Sequence, residues 1–489
     1  MSSSAYSIAS ADLIGIYPEL ILAGVGVLVL LLDAFFGERR LATTLLGLGA
    51  VAGAGYQSVY QSLGQSVGTT YGASFGGLLV TTPLSIGIRW VVLLSLFLAL
   101  LGSHGYLRRE RLGPGEYTAL LLWAGTGALF MARTAELITL FLALELLSVC
   151  LYALAAYHRR LKVATEAGIK YFLNGAFISC FVLLGIALIY GEAGTTNLTR
   201  MANSALLSSG SPMLLVGFLL LICGFAFKMS VAPFHAWAPD VYQGAASPFV
   251  AFLSVAPKAA SAVVLVRITE LTLAVDVHSW DKVLATLAVL SMVVGNLLAL
   301  AQRDLKRMLA YSGVAHMGYL LVPMVGLGES SREAIFVYFV AYALMNGGAF
   351  VAAGRLFKEP GEQHLISDLG GWGYRFPVFG ICLTVCLLSL GGIPPTLGFV
   401  AKYLVFLSAF QNGHLMLAVA IVLTSLLGVY YYLRVVYTLY MMPEVRKPAG
   451  FESDPGATAA IVIAAVGILL LGIWPTGLLD WFSQALSAL

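Results

Sequence analysis

Apolar runs of the length that crosses a bilayer recur along almost the whole chain. A transmembrane helix needs about 20 predominantly apolar residues. Apolar and polar residues do not alternate inside these runs, which favours helices over the strands of a barrel. The pattern predicts about fourteen spans, near residues 14–36, 41–62, 83–105, 116–133, 135–157, 163–190, 212–232, 246–270, 281–302, 308–327, 333–357, 377–411, 414–440 and 458–480.

Two of these spans are predicted to be broken helices. The stretch 377–411 is too long for one untilted span at about 1.5 Å per residue, and it contains the adjacent prolines Pro394 and Pro395, which remove backbone donors in mid-helix. The span that begins near residue 212 runs into Pro233 and Pro239. Interrupted helices at corresponding places in two halves are typical of transporters built from repeats.

The predicted fold class is therefore all-α: a polytopic membrane protein with two five-helix repeats. An odd number of spans in each repeat inverts the second copy relative to the first. The predicted divisions are the N-terminal helices 1–3 (residues 1–115), the first repeat with helices 4–8 (116–272), the second repeat with helices 9–13 (273–441), and a loop with helix 14 (442–489).

Composition excludes the soluble folds. The 489 residues are 60% hydrophobic and 10% charged, against about 45–50% and about 25% in soluble domains. The net charge of +3 is small and its basic residues are scattered over loops, so they do not form a stripe for nucleic acid. The N-terminus has no Lys or Arg before its first apolar run, which argues against a cleaved signal peptide.

The distribution of Lys and Arg predicts the orientation, because short basic loops favour the cytoplasm. With both termini outside, sixteen basic residues fall in inside loops and five in outside segments. The inside set is Arg39, Arg40, Arg108, Arg109, Arg111, Arg159, Arg160, Lys162, Arg303, Lys306, Arg307, Arg355, Lys358, Arg375, Arg446 and Lys447. The outside set is Arg133, Arg200, Arg267, Lys282 and Arg332.

Four ionisable residues lie well inside apolar helices: Glu145, Lys228, Lys258 and Lys402. Each costs about 2.5–3.5 kcal/mol on insertion scales, so each needs a partner, a water path or a function. Lysines near helix ends can reach the interface, but Glu145 and Lys258 lie too deep for that. For Lys170 and Glu166, and for Arg434, structural and functional roles stay equally open.

A buried lysine holds its proton less tightly than an exposed one, and a nearby carboxylate reverses the effect. Moving that carboxylate would then drive proton release. Lys228 and Glu145 are the natural pair for such a switch, with Lys258 as the central relay. His235 and His316 can transfer protons near neutral pH, although structural hydrogen bonding explains a membrane histidine equally well.

No cofactor is predicted for this chain. The five cysteines lie inside apolar helices, without iron–sulfur spacing or a disulfide framework. No nucleotide loop, dinucleotide fingerprint or zinc spacing occurs. Two histidines on different helices could ligate a haem, but no further candidate pair supports one.

Three segments together carry a family resemblance. FKMSVAPFHAWAPDVYQGAASPFVAFLSVAPKAA, QRDLKRMLAYSGVAHMGYLL and GGIPPTLGFVAKYLVF resemble the antiporter-like membrane subunits of respiratory complex I, and the likeness runs from about helix 3 to helix 13. Related chains occur in multi-subunit cation/proton antiporters. PDVYQGA, and a lysine in the second broken helix, favour the N branch of this family.

The resemblance implies a function and roles for residues. Glu145 and Lys228 are similar to the family's helix 5 glutamate and helix 7 lysine, Lys258 to its relay lysine, and Lys402 to the lysine near the outward path. The implied function is a non-redox subunit of a translocase, NADH:quinone oxidoreductase. Such a subunit couples quinone reduction in neighbouring membrane subunits to proton pumping across the inner (plasma) membrane.

Two alternatives stay open. A subunit of a sodium/proton antiporter would share the lysines and the broken helices. A membrane scaffold whose charges only pair would share the helices. The charged residues do not separate the first two possibilities, and the sequence does not identify the electron donor, the quinone or the transported cation.

Overall fold

The computed structural model describes residues 10–37, 39–63, 72–202, 211–273, 277–356, 365–444 and 454–487. Within them the chain is almost entirely helical. The helices are α1 (Ser10–Gly15), α2 (Tyr17–Phe36), α3 (Arg40–Leu63), α4 (Pro83–Arg109), α5 (Pro114–Arg133), α6 (Leu137–Ala155), α7 (Lys162–Ala193), α8 (Leu198–Ala202), α9 (Pro212–Met229), α10 (Trp237–Gly244), α11 (Ser247–Leu253), α12 (Ala256–Leu273), α13 (Val277–Ala301), α14 (Leu305–Leu321), α15 (Glu329–Leu356), α16 (Trp372–Arg375), α17 (Pro377–Gly391), α18 (Leu397–Gln411), α19 (Leu415–Met441), α20 (Pro455–Ile473) and α21 (Thr476–Ser487).

One small hairpin and three short 3-10 turns complete the described structure. Strands β1 (Gly72–Ser74) and β2 (Leu79–Thr81) pair antiparallel, with Ala73 opposite Val80. The 3-10 turns are Phe75–Gly77, Val322–Met324 and Ile366–Leu369. In the part of the chain that the structure describes, the all-α prediction omitted only this hairpin, which lies in a connection between helices.

Ten helices in the described ranges are long and apolar enough to cross a membrane. They are α2, α4, α6, α7, α9, the stretch Ser247–Glu270 of α11 and α12, α13, α15, α19 and α20. The four other predicted spans are also helical: α3, α5, α14 and the pair α17–α18. These four are shorter or less apolar, so the mostly helical, polytopic fold is established and the count of fourteen stays a prediction.

The two most enclosed segments are the centre of the molecule. Each of Ser247–Glu270 and Ser330–Arg355 contains an 18-residue stretch that is 100% buried. The second of these, in α15, packs against α4, α11, α17, α18 and α20. One central helix comes from each predicted repeat, which places the middle of both halves away from lipid.

Two helices stop at the prolines that the sequence singled out. Helix α9 ends at Met229, and Ser230 follows with φ +60° before α10 begins at Trp237. Helix α17 ends at Gly391, and Gly392 follows with φ +79° before α18 begins. A left-handed residue after the last turn is a common way to end a helix. Each stop leaves a helix end inside the bundle.

Buried charges attach the N-terminal helices to the rest of the bundle. Glu19 on α2 is 0% exposed and lies 3.1 Å from Arg133 Nη1 and 3.8 Å from Arg89 Nη2. Arg133 also donates to the carbonyl of Gly15 at 2.7 Å, and Arg267 donates to carbonyls of Thr134 and Val80. Arg133 and Arg267 were counted as outer-loop charges, and the structure instead gives both of them internal partners.

Candidate functional site

Lys258 lies at the centre of the bundle, on α12. The residue is 1% exposed. Its Nζ lies 5.7 Å from the ring centroid of Tyr242 and 5.9 Å from that of Tyr342. Among the described residues this nitrogen has no hydrogen-bond partner. A buried ammonium without an acceptor is unfavourable, so a charged Lys258 needs water or a moving charge as its partner.

Room beside Lys258 is provided by a glycine. A Cβ added to Gly313 would lie 3.3 Å from Lys258 Nζ and 2.9 Å from the Tyr342 hydroxyl. Any side chain at this position would therefore contact the lysine nitrogen. Because Gly313 is on α14, the second predicted repeat helps to shape the surroundings of a lysine on the first.

Lys228 has similar surroundings at the end of α9. The residue is 4% exposed, and its Nζ lies 5.2 Å from the ring centroid of Tyr152 and 5.4 Å from that of Tyr171. Its nitrogen also has no hydrogen-bond partner in the described part of the chain. Aromatic faces attract a cation, most strongly where it is desolvated. Within the described ranges, Lys228 is thus held by two tyrosine rings and by no carboxylate.

Glu145 does not pair directly with Lys228. The half-buried carboxylate accepts a hydrogen bond from Ser179 Oγ at 2.5 Å, across the α6–α7 contact. No ion pair within 4.0 Å joins it to Lys228 in the described structure. The expected pair is therefore separated here, although Tyr152 next to Lys228 is on the same helix as Glu145.

His316 on α14 is fully enclosed by tyrosines. It is 1% exposed, with Nδ1 at 2.7 Å from the Tyr338 hydroxyl and Nε2 at 3.1 Å from the Tyr432 hydroxyl. Its ring centroid is 5.4 Å from that of Tyr342 and 5.8 Å from that of Tyr319. Since both ring nitrogens face a hydroxyl, the imidazole can donate at one side and accept at the other.

Lys402 on α18 differs from Lys228 and Lys258 because its nitrogen makes three hydrogen bonds. Nζ donates to the carbonyls of Leu390 and Gly391, each at 3.0 Å, and to Ser425 Oγ at 2.9 Å. It also lies 5.3 Å from the ring centroid of Tyr319. Three donors and three acceptors suit the ammonium form.

A series of aromatic contacts joins these groups. Tyr171 next to Lys228 stacks on Trp237 at 4.4 Å, and Trp237 packs edge-on against Tyr242 at 6.1 Å. Tyr242 and Tyr342 flank Lys258. From there the series continues in the order Tyr342, His316, Tyr319 and Lys402. The structure therefore brings Lys228, Lys258, His316 and Lys402 into one buried line.

His235 lies outside this line. It is half-buried in the segment between α9 and α10, and its ring centroid is 6.2 Å from that of Tyr311 on α14. Its surroundings therefore resemble the edge of the bundle more than the centre. The relay role predicted for His235 has less geometric support than that of His316.

Sequence reasoning missed a charge network around α10. Asp240 accepts from Lys170 at 2.8 Å and from Arg307 at 2.7 Å. Lys306 Nζ donates to the carbonyls of Gln243 at 3.0 Å and Ala245 at 2.7 Å. Burial would raise the pKa of Asp240, but the two basic hydrogen-bond donors lower it below its usual value. Both halves of this network are in segments that the sequence analysis used for other purposes. The basic residues of QRDLKR were counted as inside-loop charges, and PDVYQGA was used only for the family resemblance.

Lys170 and Arg434, whose roles the sequence left open, both have hydrogen-bond partners in the structure. Lys170 bridges Glu166 at 2.7 Å and Asp240 at 2.8 Å, and thus belongs to the α10 network. Arg434 donates to the carbonyls of Leu300 at 3.0 Å and Gln302 at 2.6 Å, at the end of α13. Basic side chains at a helix C-terminus stabilise its free carbonyls. The geometry favours a structural role for Arg434.

Comparison with known proteins places the chain in a family. The model described as NADH:quinone oxidoreductase/Mrp antiporter, TM matches residues 134–428, which is more than half of the chain. NADH-quinone oxidoreductase subunit N of Trichlorobacter lovleyi is 38% identical over 473 residues, covering 96% of each chain. The subunit N of Myxococcus xanthus is 40% identical over 441 residues, covering 83% of this chain and 85% of that one.

Solved structures agree with these relatives. A chain of respiratory complex I from Thermus thermophilus with bound aureothin has a TM-score of 0.79 at 33% identity, covering 95% of this chain and 98% of that chain. A chain of the Mrp complex from Dietzia sp. has a TM-score of 0.81 at 19% identity, covering 98% and 97%, and shows the shared fold. The chain therefore belongs to the NADH-quinone oxidoreductase subunit N family, within the membrane proteins common to that enzyme and to Mrp antiporters.

Proposed function

We propose that this chain is a proton-translocating membrane subunit of NADH:quinone oxidoreductase. The family membership supports the assembly, and one observation supports the activity: Lys228, Lys258, His316 and Lys402 lie in one buried line linked by aromatic rings. A scaffold whose charges only pair would provide each lysine with a carboxylate. Lys228 and Lys258 instead face tyrosines.

In this proposal Lys258 is the central relay and His316 connects it to Lys402. The imidazole has a hydroxyl at each nitrogen, which suits proton transfer through the ring. Glu145 modulates Lys228 by its charge, at a distance that changes during the cycle, instead of by a permanent ion pair. His235 is retained as a peripheral member of the path.

The finer architecture is part of the proposal. We infer fourteen crossings, two inverted five-helix repeats at residues 116–272 and 273–441, and broken helices at α9–α10 and α17–α18. The N-terminal helices would occupy 1–115 and the C-terminal segment 442–489. Helices at all fourteen predicted positions support the count. The basic loops support both termini on the outer side of the inner (plasma) membrane.

The driving force would come from neighbouring membrane subunits. No cofactor is proposed for this chain, and nicotinamide and quinone chemistry are assigned to other subunits of the complex. Matches to chains from multi-subunit membrane complexes support such partners. Charge movement in an adjacent subunit could reach the buried line without any redox group here, because electrostatic effects are strong in a low-dielectric interior.

The test is Lys258→Ala in the assembled complex. We expect assembly to persist, with coupled quinone reduction and proton uptake by sealed vesicles both strongly reduced, because the relay between Lys228 and His316 is lost. Lys162→Ala, at an exposed position at the start of α7, is the matched control and should pump normally. Normal pumping by Lys258→Ala would remove the relay assignment. Rates that depend on sodium would instead favour the antiporter alternative.

A further inference from the structure

The last turn of α17 is completed by a side chain. A helix end leaves free carbonyls, and the hydrocarbon offers no water to bind them. Backbone N–H groups of the two residues after α17 satisfy two of these carbonyls. The carbonyls of Leu390 and Gly391 accept instead from Lys402 Nζ, each at 3.0 Å.

A third oxygen closes the arrangement from another helix. Ser425 on α19 accepts from Lys402 Nζ at 2.9 Å. A lysine ammonium has three donors and no acceptor, so all three are used. The negative end of the α17 dipole points at the same place. These three oxygens, from Leu390, Gly391 and Ser425, form what we call the oxygen cradle.

Space for the cation is provided by Gly392. A Cβ at this position would lie 2.8 Å from Lys402 Cδ and 3.3 Å from its Nζ. The residue also has φ +79°, which favours glycine. The local backbone therefore both ends α17 and leaves the cradle open toward the lysine.

We propose that the oxygen cradle is a binding site for a small monovalent cation of the ammonium class, and that Lys402 is its tethered occupant. The three N···O distances of 2.9–3.0 Å are those of ordinary N–H···O hydrogen bonds. Free ammonium and primary alkylammonium ions carry the same three donors. Removing the lysine amine would take a donor from all three oxygens, including the carbonyls of Leu390 and Gly391 at the end of α17, and these ions can supply it.

The cradle gives Lys402 a role distinct from those of the other lysines, and this consequence rests on the proposed function. Lys228 and Lys258 have no acceptor among the described residues, whereas the cradle selects the charged form of Lys402. An amine that has lost its proton keeps two donors and no charge, so it is held less firmly. Proton loss would therefore release the side chain from α17, coupling its position to its protonation.

Binding is tested first with the full-length Lys402→Ala chain in detergent. We expect its thermal unfolding midpoint to rise saturably with ammonium chloride, since ligand bound to the folded state stabilises it. Tetramethylammonium chloride at equal ionic strength has no N–H donor and should give no rise. The wild type and Lys258→Ala are matched controls, because one has a filled cradle and the other removes a lysine without oxygen acceptors.

A second variant tests the cradle itself. Adding Ser425→Ala to Lys402→Ala removes one of three acceptors and should weaken ammonium affinity by about tenfold or more. Should Lys402→Ala alone not yield folded chain, ammonium supplied during purification should recover it in a dose-dependent way. Recovery that tetramethylammonium matches, or that does not occur, would overturn the site.

The outcomes separate this inference from the proposed function. A midpoint that does not respond to ammonium in Lys402→Ala, or that rises equally in the wild type and Lys258→Ala, rejects the cradle and leaves the proton path untouched. Normal pumping by Lys258→Ala rejects the proton path and leaves the binding result standing. In the assembled complex, ammonium should raise quinone reduction by Lys402→Ala and not by Lys258→Ala.

Discussion

At the scale of single residues, the three buried lysines of the line lie at similar depth but differ in the groups that surround their nitrogens. Lys228 and Lys258 face tyrosine rings without a hydrogen-bond acceptor among the described residues. Lys402 has three acceptors. A group without acceptors gains and loses a proton with little rearrangement, whereas a group with three must break contacts first. The buried line therefore contains two lysines, Lys228 and Lys258, that change protonation with little rearrangement. The third lysine, Lys402, is held in place.

The relation between Glu145 and Lys228 can be measured with a double-mutant cycle on pumping rate. We expect Glu145→Ala and Lys228→Ala to be non-additive, because both remove the same electrostatic coupling. The structure adds Ser179 as the present partner of the carboxylate. Fully independent effects of the two changes would argue against coupling, and a Ser179→Ala variant would show how much the resting hydrogen bond contributes.

Gly313 offers a prediction about the relay itself. Replacing it by Ser would place a side chain within about 3.3 Å of Lys258 Nζ, and its hydroxyl would give the nitrogen an acceptor. We expect the charged form of Lys258 to be stabilised. The pH profile of the pumping rate should then shift toward higher pH. Gly313→Ala fills the same space without an acceptor and is the matched control. Equal pH profiles for the two variants would show that crowding alone matters.

At the scale of helices, charged side chains on two neighbouring helices add to the buried aromatic packing of α10. Asp240 joins α7 through Lys170 and α14 through Arg307, while Lys306 binds the carbonyls at its end. Helix α10 follows the interruption after α9, so the network fixes the segment between Lys228 and the central helices. The network also connects one predicted repeat with the other.

Asp240→Asn should therefore loosen α10. Two basic side chains lose a charged acceptor, and we expect a lower thermal midpoint and faster proteolysis near α10. Glu166→Gln is the control: its ion pair with Lys170 has exposed fractions of 63% and 42%, and exposed pairs contribute little. The Asp240 contribution should fade as pH falls through its lowered pKa, because protonation removes the charge. A midpoint equal to that of Glu166→Gln would contradict this role of Asp240.

Much of the helical architecture follows from apolar runs and prolines. The sequence predicted the depth of Lys258 and the interruptions of the helices near Ser230 and Gly392, because local sequence decides these features. Contacts between helices that are distant in the sequence could not be predicted from it. Tyr171 next to Lys228, and Tyr342 next to Lys258, depend on helix rotation and packing. For the same reason, the sequence indicated Glu145 and Lys228 as a modulated pair but not that Glu145 accepts a hydrogen bond from Ser179.

At the scale of the whole molecule, the buried line passes through both predicted repeats. Lys228 and Lys258 are on α9 and α12, whereas His316 and Lys402 are on α14 and α18. Most of Ser247–Glu270 and most of Ser330–Arg355 are buried at the centre of the molecule. A relative movement of the two halves would change the spacing between Lys258 and His316, and would interrupt or connect the line.

The last prediction concerns the chain isolated from its partners. An open proton path would dissipate the membrane potential, worth about 2.3 kcal/mol per charge per 100 mV, so the resting line should be interrupted. In sealed liposomes the purified chain should therefore show neither NADH or quinol oxidation nor robust cation/proton exchange. Electron transfer by the isolated chain would refute the accessory role. Rapid sodium-dependent proton exchange that Lys258→Ala abolishes, and that Lys162→Ala leaves intact, would place the antiporter function above the complex I assignment.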